Sequence, residues 1–397
     1  MRKDNTIEAF FALLRAGLWS DGNQEILVDG TTDWQEVYRI ATEQSVLGLV
    51  LAGLEHSDIK PPKELLLQWI GVVQLIEQRN KAMNEYIAEL IEEMRSVGIY
   101  TLLVKGQGLA QCYNRPNWRA CGDVDLLLSK DNYEKTKAFI LPKGVLTEPE
   151  EAGKKHLAMQ VGQWAVELHG TLRVGLSKRV DRVLDKVQYD IFYGGQVRSW
   201  LNGQTHVFLP AANEDVVYVF AHILQHFYKG GIGLRHVCDW CRLLYTYRDS
   251  LNYELLKSRI KKAGLMSEWK AFYYLASRYL GMPDFGLGLT DVESAMPRQS
   301  SNKFGSAHGS IAELTVHDSR YDKKADKICE FILEVGNFGH NRDNSYFQKH
   351  SYFIQKCISA WRRVKDLCRH ATIFPVNSVR FFFGIMYNGI VSTLRGE

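Results

Sequence analysis

The chain has 397 residues, enough for two or three domains and a sizeable core. Its composition, 46% hydrophobic and 24% charged, excludes a disordered chain, a collagen and a disulfide scaffold. With 49 Lys and Arg against 45 Asp and Glu the net charge is +4, too small by itself to indicate nucleic acid or an anionic membrane as partner.

The opening run carries Asp4 and Glu8 and lacks an apolar core, so no signal peptide is expected. No stretch reaches the ~18 apolar residues of a membrane span; Phe381 to Val391 is short and holds Asn388. Seven scattered cysteines fit free thiols in a reducing cytoplasm, the expected location. Ile7, Phe10, Phe11 and Leu14 form a helical stripe, and Val37, Ile40, Ala41 and Gln44 begin another. Pro61-Pro62 opens a long helix whose Met83, Ile87, Leu90, Ile91 and Met94 share a face, and Gly98 suits its stop.

The period then shortens. Ile99 to Val104 reads as a strand, Lys105-Gly106-Gln107-Gly108 as a turn, and Leu109 to Asn114 as a possible helix start. Asp123 to Leu128 is a second strand, followed by a helix capped within Ser129 to Asp131, where Asp131 and Glu134 have capping-box spacing. Gln163 to His169 alternates as a third strand, and Thr205 to Leu209 is a fourth candidate. Asn213 is the expected N-cap of a helix with a Val216, Val217, Phe220, Ile223, Leu224, Phe227 stripe. Further helices are predicted over 235–247, 253–263 and 266–280. The reading is α+β: a helical segment over 1–79, a small mixed-sheet core over 80–210, a helical domain over 211–283, a linker or loose excursion over 284–327 and a helical segment over 328–397.

Asp123 and Asp125, two apart on a strand, point to one face, while Val124, Leu126 and Leu128 point into the core. Paired carboxylates beside a turn call for a cation, and oxygen ligands suit Mg2+ or Mn2+. Solvated acids on an edge strand are the plain alternative. The strand-turn-helix at Lys105 to Gly108 resembles a phosphate-binding turn, although Gly-x-Gly is often only a tight turn. Arg119 either forks onto a phosphate or pairs with Asp123. Glu167 and His169 share one face of the third strand, so Glu167 can complete a three-carboxylate site.

His222 and His226 fall opposite their helix's apolar stripe. They are expected to line the cleft facing the aspartates, or to make a polar helix–helix contact. Arg235 and Asp239, four apart, either pair with each other or continue that wall. With Cys238 and Cys241 the two histidines supply zinc-ligand types, but Cys-x-x-Cys lies on a predicted helix running on through Arg242 to Tyr245. The C-terminal Trp361 to Lys365, Arg369, Arg380 and Arg395 form a cationic patch read as a solvated face, and Phe381 to Phe383 as a core or oligomer contact.

Taken in order, Lys105-Gly106, Arg119, Gly122-Asp123-Val124-Asp125-Leu126-Leu127 and Glu167-Leu168-His169 resemble the uncharacterised nucleotidyltransferase family of bacteria, within the polymerase-β-like superfamily. The likeness continues through His222-x-x-x-His226 and Leu234 to Asp239, over roughly residues 35–285. Gln107 stands where the wider superfamily has serine, as in the narrower family. The resemblance implies transfer of a nucleotidyl group from an NTP with a divalent metal. Asp123, Asp125 and Glu167 would be the catalytic metal site, and Lys105, Gly106, Gln107, Gly108 and Arg119 would hold phosphates. His169, His222, His226, Arg235 and Asp239 would line the cleft. The acceptor is left open among a sugar or glycan precursor, a small molecule, a protein and RNA. Two other readings stand beside it: an idle nucleotide- or partner-binding module on the same fold, and a zinc-stabilised helical interaction protein.

Overall fold

The computed structural model describes residues 2–19, 31–148, 150, 155–286, 319–339, 341 and 352–394. A five-stranded mixed sheet has the order β1(Leu102–Val104), β2(Asp123–Leu127), β5(Trp164–His169), β4(His156–Val161), β3(Val145–Leu146). β2 and β5 run parallel; the other neighbours are antiparallel. The third expected strand is therefore β5, because β3 and β4 lie in a stretch read without strands. A signal was present: His156, Ala158 and Gln160 alternate with the buried Leu157, Met159 and Val161. The fourth candidate is β7(Thr205–Pro210), which pairs with β6(Val197–Asn202) in a separate two-stranded ribbon.

One face of the sheet is apolar throughout. Leu103, Val124, Leu126, Leu128, Met159, Val166 and Leu168 pack there against Met83, Ile87, Leu90, Ile91 and Met94 of α4(Lys63–Ser96). Tyr133 and Ile140 of α6(Lys130–Ile140) close the same core. The other face carries Asp123, Asp125, Glu167 and His169, with Leu102, Val104 and Leu127 continuing into a larger helical core. That core holds α1(Arg2–Trp19), α2(Trp34–Glu43), α3(Leu47–Leu54), α8(Ala212–Lys229), α9(Leu234–Tyr247), α10(Tyr253–Ala263) and α11(Met266–Leu280). Residues of α7(Lys178–Tyr193), α12(Ser319–Val335) and α14(Pro375–Leu394) join it, and α13(Tyr352–Ala371) packs on α14.

The division drawn at 79/80 falls inside α4, which runs unbroken. Its Trp69 and Val73 lie in the helical core and its Met83 onward in the sheet core, so one helix serves both. Asn80, buried between those stretches, donates to Asn117 O and Arg119 O at 2.8 Å each and accepts from Gln107 Nε2 at 2.8 Å.

One local expectation is narrowed and two are corrected. Ser129, whose hydroxyl accepts from Asn132 N, caps α6, and Asp131 sits in the first turn. Ala211 takes the N-cap position of α8; Asn213 lies within the helix and accepts from Asn252 N at 2.8 Å. Helix α12 begins at Ser319, inside the stretch read as a linker, whose residues 287–318 lie outside the described ones. At the C-terminus Phe381 is buried in the core, Phe383 is exposed, Arg369 pairs with Glu334, and Arg395 lies outside the described residues. Among the described residues no helix is long and apolar enough to cross a membrane.

Helices α1 and α3 cross backbone to backbone. A Cβ at Gly17 would lie 1.8 Å from Leu49 O, and one at Gly53 would lie 1.9 Å from Leu13 O. Gly53→Ala is therefore expected to destabilise the fold by at least about 1–3 kcal/mol. Gly71, inside α4 with nothing within 4 Å of its missing Cβ, is the control. Gly71→Ala should stabilise by about 0.5–1 kcal/mol in denaturant titrations.

Candidate active site

Leaving β1, the chain turns through Lys105, with φ +56°, and Gly106, with φ +40°, into the short α5(Gly106–Ala110). Lys105 thus adopts a backbone conformation unfavourable for a side-chain-bearing residue. The expected four-residue turn is a single bend and the first turn of this helix. Its residues do not all face the cleft. Gln107 is buried against Asn80 and Met83. A Cβ at Gly108 would lie 2.9 Å from Leu209 Cδ2, so Gly108 faces the β6–β7 ribbon. Gly106 does line the cleft, but a side chain there would press on Asp123 O and Cys121 Sγ, each 3.3 Å from its missing Cβ. Substituting it would test the fold as well as phosphate binding.

The β2–β5 register sets Asp125 directly beside Glu167. Asp123, Asp125 and Glu167 each present an oxygen, all within 4.8 Å of one another. Lys105 Nζ lies 2.6 Å from Asp125 Oδ1, and His169 Nε2 lies 2.7 Å from the same oxygen. The charge of Asp125, followed by burial, raises Asp123 to about 6. Burial alone would raise Glu167, but hydrogen bonds from His156 and His169 hold it well below the usual carboxylate range. Burial opposes the Lys105 charge, yet Asp125 and its neighbours raise the ammonium well above its usual value. Burial and Lys105 push His169 down, and its hydrogen bonds to Asp125 and Glu167 more than offset them.

Helices α8 and α9 form the facing wall. His222, Arg235, His236 and Asp239 line one cleft with Lys105, Asp123 and Asp125. His226 stands behind His222, their Nε2 atoms 3.1 Å apart, and its ring centroid is 5.5 Å from that of His236. Burial, then Lys105, depresses His222 and His226, the latter to about 4; burial, then Arg235, depresses His236.

Arg119 does not pair with Asp123. It forks onto Asp239 at 2.8 and 2.6 Å, and Tyr113 donates to the same carboxylate at 2.7 Å. With Asp239 filled, Arg235 does not pair with it; Arg235 Nη1 donates instead to Ala120 O at 2.7 Å, and Nε finds no hydrogen-bond acceptor. Cys238 and Cys241 are buried free thiols. Among the described residues the groupings able to hold a metal are Asp123–Asp125–Glu167 and His156–Glu167–His169, with neither cysteine. His156, His236 and the buried Tyr218 of α8, raised to about 12 by burial, are neighbours of the site that the motifs did not single out. The alternation in β4 and the position of His236 next to Arg235 were the available signals.

Residues 30–281 match the model of the family described as uncharacterised nucleotidyltransferase. The DNA mismatch repair protein MSH3 of Chaetomium globosum is 39% identical over 70 residues, 17% of this chain, and the match spans only 6% of that protein. A solved nucleotidyltransferase-like antigenic protein of Paracoccidioides brasiliensis superposes with a TM-score of 0.31 at 15% identity, covering 50% of this chain and 92% of that one.

Two outcomes are expected from this geometry. Asp239→Asn leaves the Arg119 guanidinium buried without its carboxylate and should destabilise by about 3–5 kcal/mol in equilibrium unfolding. The second concerns pH. His226 is neutral in the fold down to about 4 but takes a proton near 6.5 when unfolded. The unfolded chain then binds more protons, so this part of the stability is intact above 6.5 and declines as pH falls toward 4. His226→Gln should flatten the melting temperature's dependence across that window; an unchanged slope would contradict the buried neutral state.

Proposed function

The chain belongs to the uncharacterised nucleotidyltransferase family, and on that premise we propose that it transfers a nucleotidyl group from an NTP to a hydroxyl-bearing acceptor, using a divalent cation held by Asp123, Asp125 and Glu167. The convergence of three carboxylate oxygens from two adjacent parallel strands carries this reading. The donor set is all oxygen and anionic, which fits Mg2+ or Mn2+. The upward shift of Asp123 under the charge of Asp125 reflects a crowding that a cation relieves. When bound, the cation supplies charge neutralisation at the reacting phosphate.

The protein's own groups divide the remaining work. Lys105 and His169 fix Asp125 through one oxygen, leaving its other oxygen to turn toward the cleft. Glu167, kept ionised by two histidines, suits a ligand role better than that of proton acceptor. Arg235, with an unsatisfied Nε beside the cleft, is the group best placed to take a phosphate oxygen, and His222 offers a neutral imidazole next to it. In this reading the phosphates lie against α8 and α9. Of the residues from 105 to 108, only Lys105 and Gly106 reach them. Arg119 acts as a positioning residue through Asp239.

One observation favours the idle-module reading: Lys105 and His169 already neutralise Asp125 without a metal. Transfer of label from α-labelled NTPs to a cell extract decides between the two. Wild-type protein should label an acceptor only with Mg2+ or Mn2+. Asp123→Asn should lose more than the about 10–100-fold that removing an outer-sphere partner costs, with its melting temperature kept. Asp125→Asn should lose at least as much but also melt lower, because it leaves the buried Lys105 ammonium without its carboxylate. Nucleotide binding without label transfer under any metal would leave only the idle module.

A further inference from the structure

The β4–β5 pairing sets His156 directly across from His169, and Glu167 stands two residues before His169 on the same face. His156 Nε2 lies 3.2 Å and His169 Nε2 3.4 Å from the same Glu167 Oε2. The two rings are 4.9 Å apart by their centroids, and all three ligand atoms lie within 4.8 Å of one another. We infer that His156, Glu167 and His169 form a transition-metal site, with Zn2+ as the best-suited ion, beside the all-oxygen site and sharing Glu167 with it.

The donor types select the ion. Two imidazoles and one carboxylate are a His2Glu set, which suits zinc and leaves a position open, whereas Mg2+ favours oxygen alone. The distances agree. Metal–ligand bonds of 2.0–2.2 Å at a tetrahedral angle separate neighbouring ligand atoms by about 3.4 Å. The two contacts with Glu167 are near that separation and are longer than the about 2.7–2.9 Å of a charge-assisted hydrogen bond. His169 makes a bond of that shorter kind elsewhere, at 2.7 Å to Asp125. The site is also within reach of solvent: the His156 and Glu167 side chains are 35% and 29% exposed.

Two features oppose the ion. His169 must give up Asp125, but Lys105 keeps that carboxylate at 2.6 Å. Lys105 also brings a positive charge, against which stand the carboxylates of Asp123, Asp125 and Glu167. Metal bound by these three side chains is read independently of nucleotidyl transfer.

The test uses the full chain, stripped with chelator, reloaded with Zn2+ and analysed for retained metal, and with Co2+ for a tetrahedral visible spectrum. Wild-type protein should retain one zinc ion per chain. His156→Gln and His169→Ala should each weaken binding at least about tenfold, and His156→Gln, at a partly exposed position, decides should His169→Ala fail to fold. Asp123→Asn should keep the zinc. A wild-type chain that retains no zinc, histidine variants that bind as wild type, or loss of zinc in Asp123→Asn would each overturn the site. Failure of label transfer from NTPs would leave the zinc result standing.

Discussion

The parallel pairing of β2 with β5 is the constraint from which the site follows. It sets Asp125 beside Glu167 and Leu127 beside His169. The register is held from the opposite face, where Val124, Leu126, Val166 and Leu168 are almost wholly buried. A slip of one strand by a single residue would turn its acids into that core and its aliphatic side chains toward the cleft. Each displaced aliphatic residue would forfeit about 1.5–3 kcal/mol of burial, and a buried carboxylate would add its own penalty. The chemistry on one face is therefore positioned by hydrophobic packing on the other.

That packing is tied to the helical half by α4. Between its two cores sits Asn80, whose amide holds the backbone at Asn117 and Arg119 and receives Gln107. The segment so fixed leads into β2 and carries Arg119 across to Asp239 on α9. Both walls of the cleft are thus joined through buried polar contacts, in which Gln107 uses its Nε2 while its Oε1 has no hydrogen-bond partner. Such contacts contribute less net stability than their number suggests, because both ions are desolvated. What they supply is position: α9 cannot shift relative to β2 without stranding a buried charge.

The sequence displayed the elements whose period is regular and hid those whose meaning depends on distant partners. The stripe from Val216 to Phe227 is buried as its spacing indicates, and helices 253–263 and 266–280 begin and end where they were read. Asp123, Asp125 and Glu167 were legible because the alternation around each shows which face it takes. Strands β3 and β4 were not seen, because charged residues crowd the chain from Glu148 to Lys155 and mask the short alternation after them. The partner of Arg119 lies 120 residues away, beyond any local spacing rule. The glycines at 106 and 108 look alike in sequence, yet one faces the cleft and the other faces Leu209. A glycine reports only that a side chain would not fit; what it would strike is decided by the fold.

The cleft's two walls differ in charge, and this bears on what can enter. The sheet side carries three carboxylates against Lys105 and His169. The helix side presents imidazoles kept neutral by burial, together with Arg235, whose own charge is disfavoured by burial and by Arg119. In the proposed reading the first wall would take a cation and Arg235 on the second an anion, so a ligand carrying both would be oriented on entry. Neutral imidazoles serve this better than charged ones would, since added positive charge there would compete with a cation for the carboxylates. A metal–phosphate pair has the polarity that this arrangement accepts, and each half lowers the desolvation cost that the other would meet alone.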